Sequence, residues 1–153
     1  VEVQALVSKS SFGYARRRAQ GFDFNRLSLL IAVLEKRMGF HLEAEDVFVN
    51  VAGGIKVEDP AADLAVAVAV ASAFRDALVI PEALILGEIG LAGEIRSISQ
   101  LALRLNEAEK LGFKRCILPK NNHRNINYKK GALELLPVST LKEALDISLA
   151  PGA

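Results

Sequence analysis

The stretch GGIKVEDPAADLAVAVAV, residues 53 to 70, gathers the side chains best suited to proton chemistry. Glu58, Asp59 and Asp63 follow a Gly-Gly pair, Lys56 lies among them, and Pro60 opens an alanine-rich run. Neighbouring carboxylates can divide the work of general acid and general base. At a helix start they have a second reading: they cap free amides and are favoured by the positive end of the helix dipole. That second reading is the stronger one here. The position such a turn would present, just after Pro60, is Ala61, a residue with no heteroatom in its side chain.

Other chemistries fail on spacing. No GxxxxGK[ST] run is present to surround phosphates with amides and a lysine, and neither GxGxxG nor GxSxG occurs. The two histidines, His41 and His123, are far apart and match no HExxH pattern, so neither a Ser/His/Asp constellation nor a metal site is expected. Cys116 is the one cysteine, which excludes an internal disulfide.

The elements that must position these residues follow from periodicity. VEVQALVS alternates Val1, Val3, Ala5 and Val7 against Glu2, Gln4 and Ser8, the pattern of a half-buried strand. SSFGYARRRAQGFD reads as a long exposed loop. A helix is expected from Asn25 as its cap, with Leu27, Leu30, Ile31, Leu34 and Met38 as its apolar stripe and Gly39 as its stop. DVFVNVAGG is a second strand. LAVAVAVA alternates like a strand, yet Asp59 and Pro60 form a helix start and the run is long for a strand, so a buried helix is expected.

Residues 83 to 98 read as two strands turning near Leu91-Ala92-Gly93, followed by a helix from Ser99 to Leu111. CILP is a short buried strand, NNHRNINYKK a polar loop, LELLPV another strand, and STLKEALDIS a final helix with a Ser or Thr cap. Together they predict one α/β (α+β) domain over residues 1 to 150, a single mixed sheet with helices packed on it, and a tail at 151 to 153. At 153 residues with 51% hydrophobic content the chain can fill one core. It has neither a membrane-spanning run nor a signal-peptide pattern. A start at Val1 and a soft LAPGA end make it read as a fragment of a longer protein.

Charge is spread unevenly although the formal total is only +1. Lys9, Arg16, Arg17, Arg18 and Arg26 face a single acid, Asp23, and seven basic residues with no acid lie between Lys110 and Lys130. Residues 43 to 63 carry six acids against Lys56. This polarity fits a surface with one side turned to phosphates, as well as ordinary solvated charge.

The sequences VFVNVAGGIKVEDPAADLAVAVAVASA and LGEIGLAGEIRSISQLALRLNEAEKLGFKRCILPK resemble the C-terminal domain of the bacterial RadA/Sms family. The likeness runs from Val1 to about Ser148 and includes FG followed by RRR, and NRL with LLIAVLEKR. That domain is similar to the proteolytic domain of Lon peptidases, which use a serine in a motif resembling PKDGPSAG and a lysine in one resembling GGLKEKLLAA. Matching DPAAD and SQLALRL to those motifs places Ala61 at the serine and Arg104 at the lysine. Alanine has no nucleophilic oxygen, and arginine stays protonated and cannot act as a base. The resemblance therefore implies a Lon-like fold without peptidase activity, kept for assembly into a homohexameric ring and for contact with DNA. It also implies a parent protein that is a DNA-dependent ATPase of recombination and repair, driving branch migration with RecA recombinase in the bacterial cytoplasm at the nucleoid. ATP, Mg²⁺ and Zn²⁺ would bind upstream domains, and no cofactor is expected here.

Arg16, Arg17 and Arg18 are the first candidates for DNA contact, as three consecutive arginines in a Gly-flanked loop. Arg26, at a helix start where a cation is mildly unfavourable, points to an outside partner. Lys56 reads as a DNA contact or as the ion-pair partner of Glu58 or Asp59. Arg96 and Arg104 share this region through the resemblance, and for Arg104 a structural ion pair is the stronger reading. Phe12, Tyr14 and Phe22 flank the arginines and fit either base stacking or packing, the latter being favoured. The alternative for the whole domain is a pseudoprotease that grips a peptide or protein partner in the former substrate groove beside Ala61.

Overall fold

In the computed structural model the described residues are 1 to 150 without 12, 125–127, 129 and 130. Strand β1 (Val3–Lys9) pairs antiparallel with β3 (Glu45–Val51), and β2 (Arg17–Gln20) lies parallel on the other side of β3. A second sheet joins β4 (Ala83–Ile85), β7 (Arg115–Pro119) and β8 (Glu134–Val138), all parallel, and β5 (Glu88–Ile89) forms a small hairpin with β6 (Ile95–Arg96). The mixed α/β class is as expected, but the single sheet is not, because the chain breaks at Leu86-Gly87. What reads as one strand in ALILGEIG is β4 in one sheet and β5 in another.

The helices form where caps and apolar spacing agree. In α1 (Phe24–Met38) Leu27, Leu30, Ile31 and Leu34 are all buried, and Gly39 closes the helix in the left-handed region. The cap is Asp23 rather than Asn25, its carboxylate accepting the Arg26 amide at 3.2 Å. A single turn at Pro60–Ala62 leads into α2 (Asp63–Arg75), which packs against β1, α1, α5 and β5. A helix walled on so many sides must be apolar nearly all round, and that produces the misleading alternation of LAVAVAVA. Before its last two residues, the half-buried positions Ala65, Ala69, Ser72 and Ala73 recur at helical spacing.

The third helix, α3 (Leu101–Lys110), turns Leu101, Leu105 and Ala108 inward. The polar loop expected over 121–130 begins instead with a short helix, α4 (Lys120–Arg124), and most of the remainder of that segment lies outside the described residues. Helix α5 (Leu141–Ser148) is capped by Thr140, whose hydroxyl accepts the Glu143 amide at 3.1 Å, as its sequence indicates.

Two apolar clusters result. The inner face of the first sheet (Val3, Ala5, Val7, Ala19, Val47, Val49, Val51) packs on α1 and α2, and α5 joins the same cluster through α2 and β8. Ala61, Leu86, Ile98, Leu101, Leu105, Cys116 and Leu118 form the second cluster, beneath α3 and the second sheet. Truncating a fully buried leucine such as Leu34 or Leu105 in either cluster costs about 2–5 kcal/mol.

Candidate functional site

The Gly-Gly turn and helix start do build a cleft. It holds about 620 Å³ and is lined by residues 20–23, Arg26, Val51, residues 54–60, Asp63 and Glu88. Two local devices shape it. Gly21, at φ 81°, lets its carbonyl accept the Val57 amide at 2.7 Å, tying the segment after β2 to the approach of α2. A Cβ on Gly21 would stand 2.5 Å from the Ile55 carbonyl oxygen, so no larger residue fits. On the other side, the Gly87 amide donates to the Ala61 carbonyl and the Leu64 amide donates to the Gly87 carbonyl, each at 3.0 Å. The hairpin is thereby held against the helix start.

Ala61 is not displayed. It is 2% exposed within the second apolar cluster, beneath the turn that was expected to present it. Arg104 reaches the same turn from α3. Its NH2 lies 2.7 Å from Asp59 Oδ2, its Nε donates to the Ser99 carbonyl at 2.9 Å, and Asp59 Oδ1 accepts the Ala61 amide at 3.0 Å. Burial alone would raise the Asp59 carboxyl; the Ala61 amide and the Arg104 guanidinium outweigh it and hold the group below its ordinary value. The two positions matched to a Ser-Lys dyad are thus joined through one carboxylate, as an N-cap and an ion pair.

Among the described residues Asp63 is the deepest charge, 1% exposed, and it is fully occupied. It accepts Arg26 Nε at 2.9 Å and Arg26 NH2, together with the Ile89 amide at 3.2 Å. The hydrogen bond to Asp63 raises the Arg26 guanidinium above its ordinary value, against the effect of burial. Arg26 therefore needs no outside partner: a carboxylate from α2 answers the cation at the start of α1.

The arginine triplet is not an exposed loop either. Arg17 and Arg18 lie in β2 and Arg16 immediately precedes it, so alternate side chains take opposite faces of the sheet. Arg16 pairs with Asp46 at 3.3 Å, and Asp46 also accepts the Arg16 amide at 2.8 Å, which holds its carboxyl below the ordinary range. Arg17 donates to the carbonyls of Glu45 and Leu42, the latter at 2.9 Å. Arg18 alone of the three is exposed.

Lys56 pairs with Glu58 at 3.2 Å and Arg96 with Glu94 at 3.4 Å, both at the surface. Phe22 is packed in the core, Tyr14 is 71% exposed, and Phe12 lies outside the described residues. The cleft itself carries Asp23, Glu58, Asp59, Asp63 and Glu88 against Arg26 and Lys56, an excess of negative charge. Periodicity did not reveal the role of Asp46 or Asp63 as arginine partners, because each partner is 30 or 37 residues away in sequence. Among the described residues no three His, Cys, Asp or Glu side chains gather to hold a metal, and no helix is long and apolar enough to cross a membrane.

The family model described as subunit ChlI of Mg-chelatase matches residues 24–122, and the chain belongs to that family. The chain is similar to the protein named DNA repair protein RadA of Halalkalibacterium halodurans, 50% identical over 149 residues, covering 97% of this chain and 32% of that protein. The protein of the same name from Bacillus subtilis is 49% identical over 149 residues, with the same two coverages. The one from Synechocystis is 48% identical over 149 residues, covering 97% of this chain and 29% of that protein. The chain spans about a third of the length of these curated relatives. The RadA resemblance read from the motifs is borne out.

Proposed function

We propose that this chain is a Lon-like domain of a DNA repair protein of the RadA kind, without peptidase activity, serving as a ring scaffold and a DNA-contact surface. The observation that carries the reading is the Asp59 bridge. Where a peptidase of this architecture would set a hydroxyl beside a deprotonated amine, this chain sets a buried methyl group and a guanidinium neutralised by a carboxylate. The parent protein would be an ATP-dependent motor using ATP, Mg²⁺ and Zn²⁺ in other domains, driving branch migration with RecA recombinase in the bacterial cytoplasm. Six copies of this domain would form its ring. Incubation with unfolded casein is expected to give no cleavage. Sedimentation analysis is expected to give a hexamer, and DNA affinity is expected to fall with salt. Casein fragments that disappear in an Ala61→Val variant would overturn the reading.

One observation favours a second reading. The cleft beside Pro60 is of ligand size, and once Glu58, Asp59 and Asp63 are matched to Lys56, Arg104 and Arg26 it keeps Asp23 and Glu88 in excess, so it disfavours phosphate and suits a cationic peptide. In that case a Glu88→Arg change abolishes capture of a partner peptide and leaves DNA binding untouched.

A further inference from the structure

The sheet β1-β3-β2 has a second face, opposite the one packed on α1 and α2. Alternation along three strands brings Ser8 and the buried, Arg16-paired Asp46 to it at one end, and two rows beyond them. The registers Leu6↔Phe48 and Arg18↔Phe48 make one row, and Gln4↔Asn50 and Gln20↔Asn50 make the other. A shallow hollow of about 560 Å³ lies over these rows. Leu6 is 61% exposed, Gln4, Arg18 and Gln20 are exposed, and Phe48 and Asn50 are half-buried. Nothing in the core needs an aromatic ring here, flanked by a guanidinium and an aliphatic side chain.

Its chemistry differs from that of the acidic cleft. Among the described residues that line the hollow, Arg18 alone is charged, and no carboxylate joins it. Within the hollow a phosphate meets one cation and no carboxylate. Three amide side chains stand beside the ring, and amides pair with base edges through a donor and an acceptor at once. Three strands at about 4.8 Å spacing make the hollow roughly 10 Å across, a few nucleotides at most.

We infer that this face binds single-stranded DNA, with a base stacked on Phe48, its edge read by Gln4, Asn50 or Gln20, and an adjacent phosphate held by Arg18. The inference rests on the DNA-contact reading above and names the surface and the strand class for it. An unpaired strand offers the base faces that a ring can stack on. A duplex hides them, and its major groove admits a helix or a two-stranded ribbon rather than a three-stranded sheet lying flat.

The test is fluorescence anisotropy of the 153-residue chain with a labelled mixed-sequence 20-nucleotide strand and with the matching duplex, across a salt series. Phe48→Leu keeps the apolar volume and removes the stacking face; it is expected to weaken single-strand binding about tenfold and leave the duplex unchanged. Arg18→Gln is expected to weaken single-strand binding and reduce the salt slope by about one, and Arg18→Lys to restore the slope. Amide shifts on adding the strand are expected at Leu6, Phe48 and Arg18. If the chain binds the strand but both variants match the original and the shifts lie elsewhere, this face is not the site and the broader DNA reading stands. Equal losses on strand and duplex overturn the single-strand assignment. If the chain binds neither DNA at low salt, the DNA reading itself falls.

Discussion

The Arg104 guanidinium lies 2.7 Å from one oxygen of Asp59, while the other oxygen of that carboxylate accepts the Ala61 amide at 3.0 Å. The start of α2 and the first turn of α3 are thus fastened by a single side chain. Asp59→Ala removes both bonds and is expected to cost about 1–2 kcal/mol, most of it from the cap. Thermal unfolding should register this as a midpoint lower by about 2–8 °C. Asp59→Asn keeps an amide acceptor at the cap and should lose less. Because the folded-state pKa of Asp59 is lowered, its contribution is complete above the unfolded value of about 3.9 and is lost as pH falls through the folded value. The difference between the original chain and Asp59→Asn should therefore vanish in strong acid.

Breaking the buried pair beneath the cleft costs more. Arg26→Ala leaves Asp63 with only the Ile89 amide in a site 1% exposed, and a loss of about 3–5 kcal/mol is expected in denaturant unfolding. Arg26→Leu combined with Asp63→Asn should recover most of it, since no uncompensated charge remains. Recovery of DNA affinity in parallel with stability would mark any binding defect of Arg26→Ala as a folding effect.

Gly21→Ala is expected to be as damaging as a core truncation. It forces an L-residue to φ 81° and sets a methyl group against the backbone oxygen of Ile55, for a loss of about 2–3 kcal/mol in the same measurement.

Glu35 works in the opposite sense. Burial first, then the nearby Glu43 carboxylate, raise its pKa, against the attraction of Arg17. A raised carboxyl pKa means that stability falls as pH climbs from the unfolded to the folded value, with the full penalty above both. Glu35→Gln should therefore raise the unfolding midpoint at pH 7, and the gain should disappear at low pH.

Much of this fold could be read from local signals. Helices α1 and α5 each combine a cap with apolar spacing, and α2 is announced by Asp59-Pro60 against an alternation that suits a strand; such signals lie within a few residues of each other. Strand β2 was hidden because four residues, RRAQ, on a sheet edge need only Ala19 and the stem of Arg17 to turn inward; such a strand looks like a loop. The candidate site was legible as a turn and a helix start, and its substituted positions were found by resemblance. What the sequence concealed were the pairings. Asp63 reads as a carboxylate at a helix start and Asp46 as one acid of a charged run until the fold brings Arg26 and Arg16 to them, and those pairings move the available cation of the triplet to Arg18.

The Asp63 carboxylate has one more consequence. It receives a guanidinium from α1 and an amide from β5 while belonging to α2, so three segments share one internal anchor. None of them can open alone without leaving a carboxylate or an amide unpaired in the interior. The Ile89 amide, in a strand of only two residues, should therefore exchange its hydrogen for deuterium as slowly as amides in the middle of α2 rather than at the rate of a frayed hairpin.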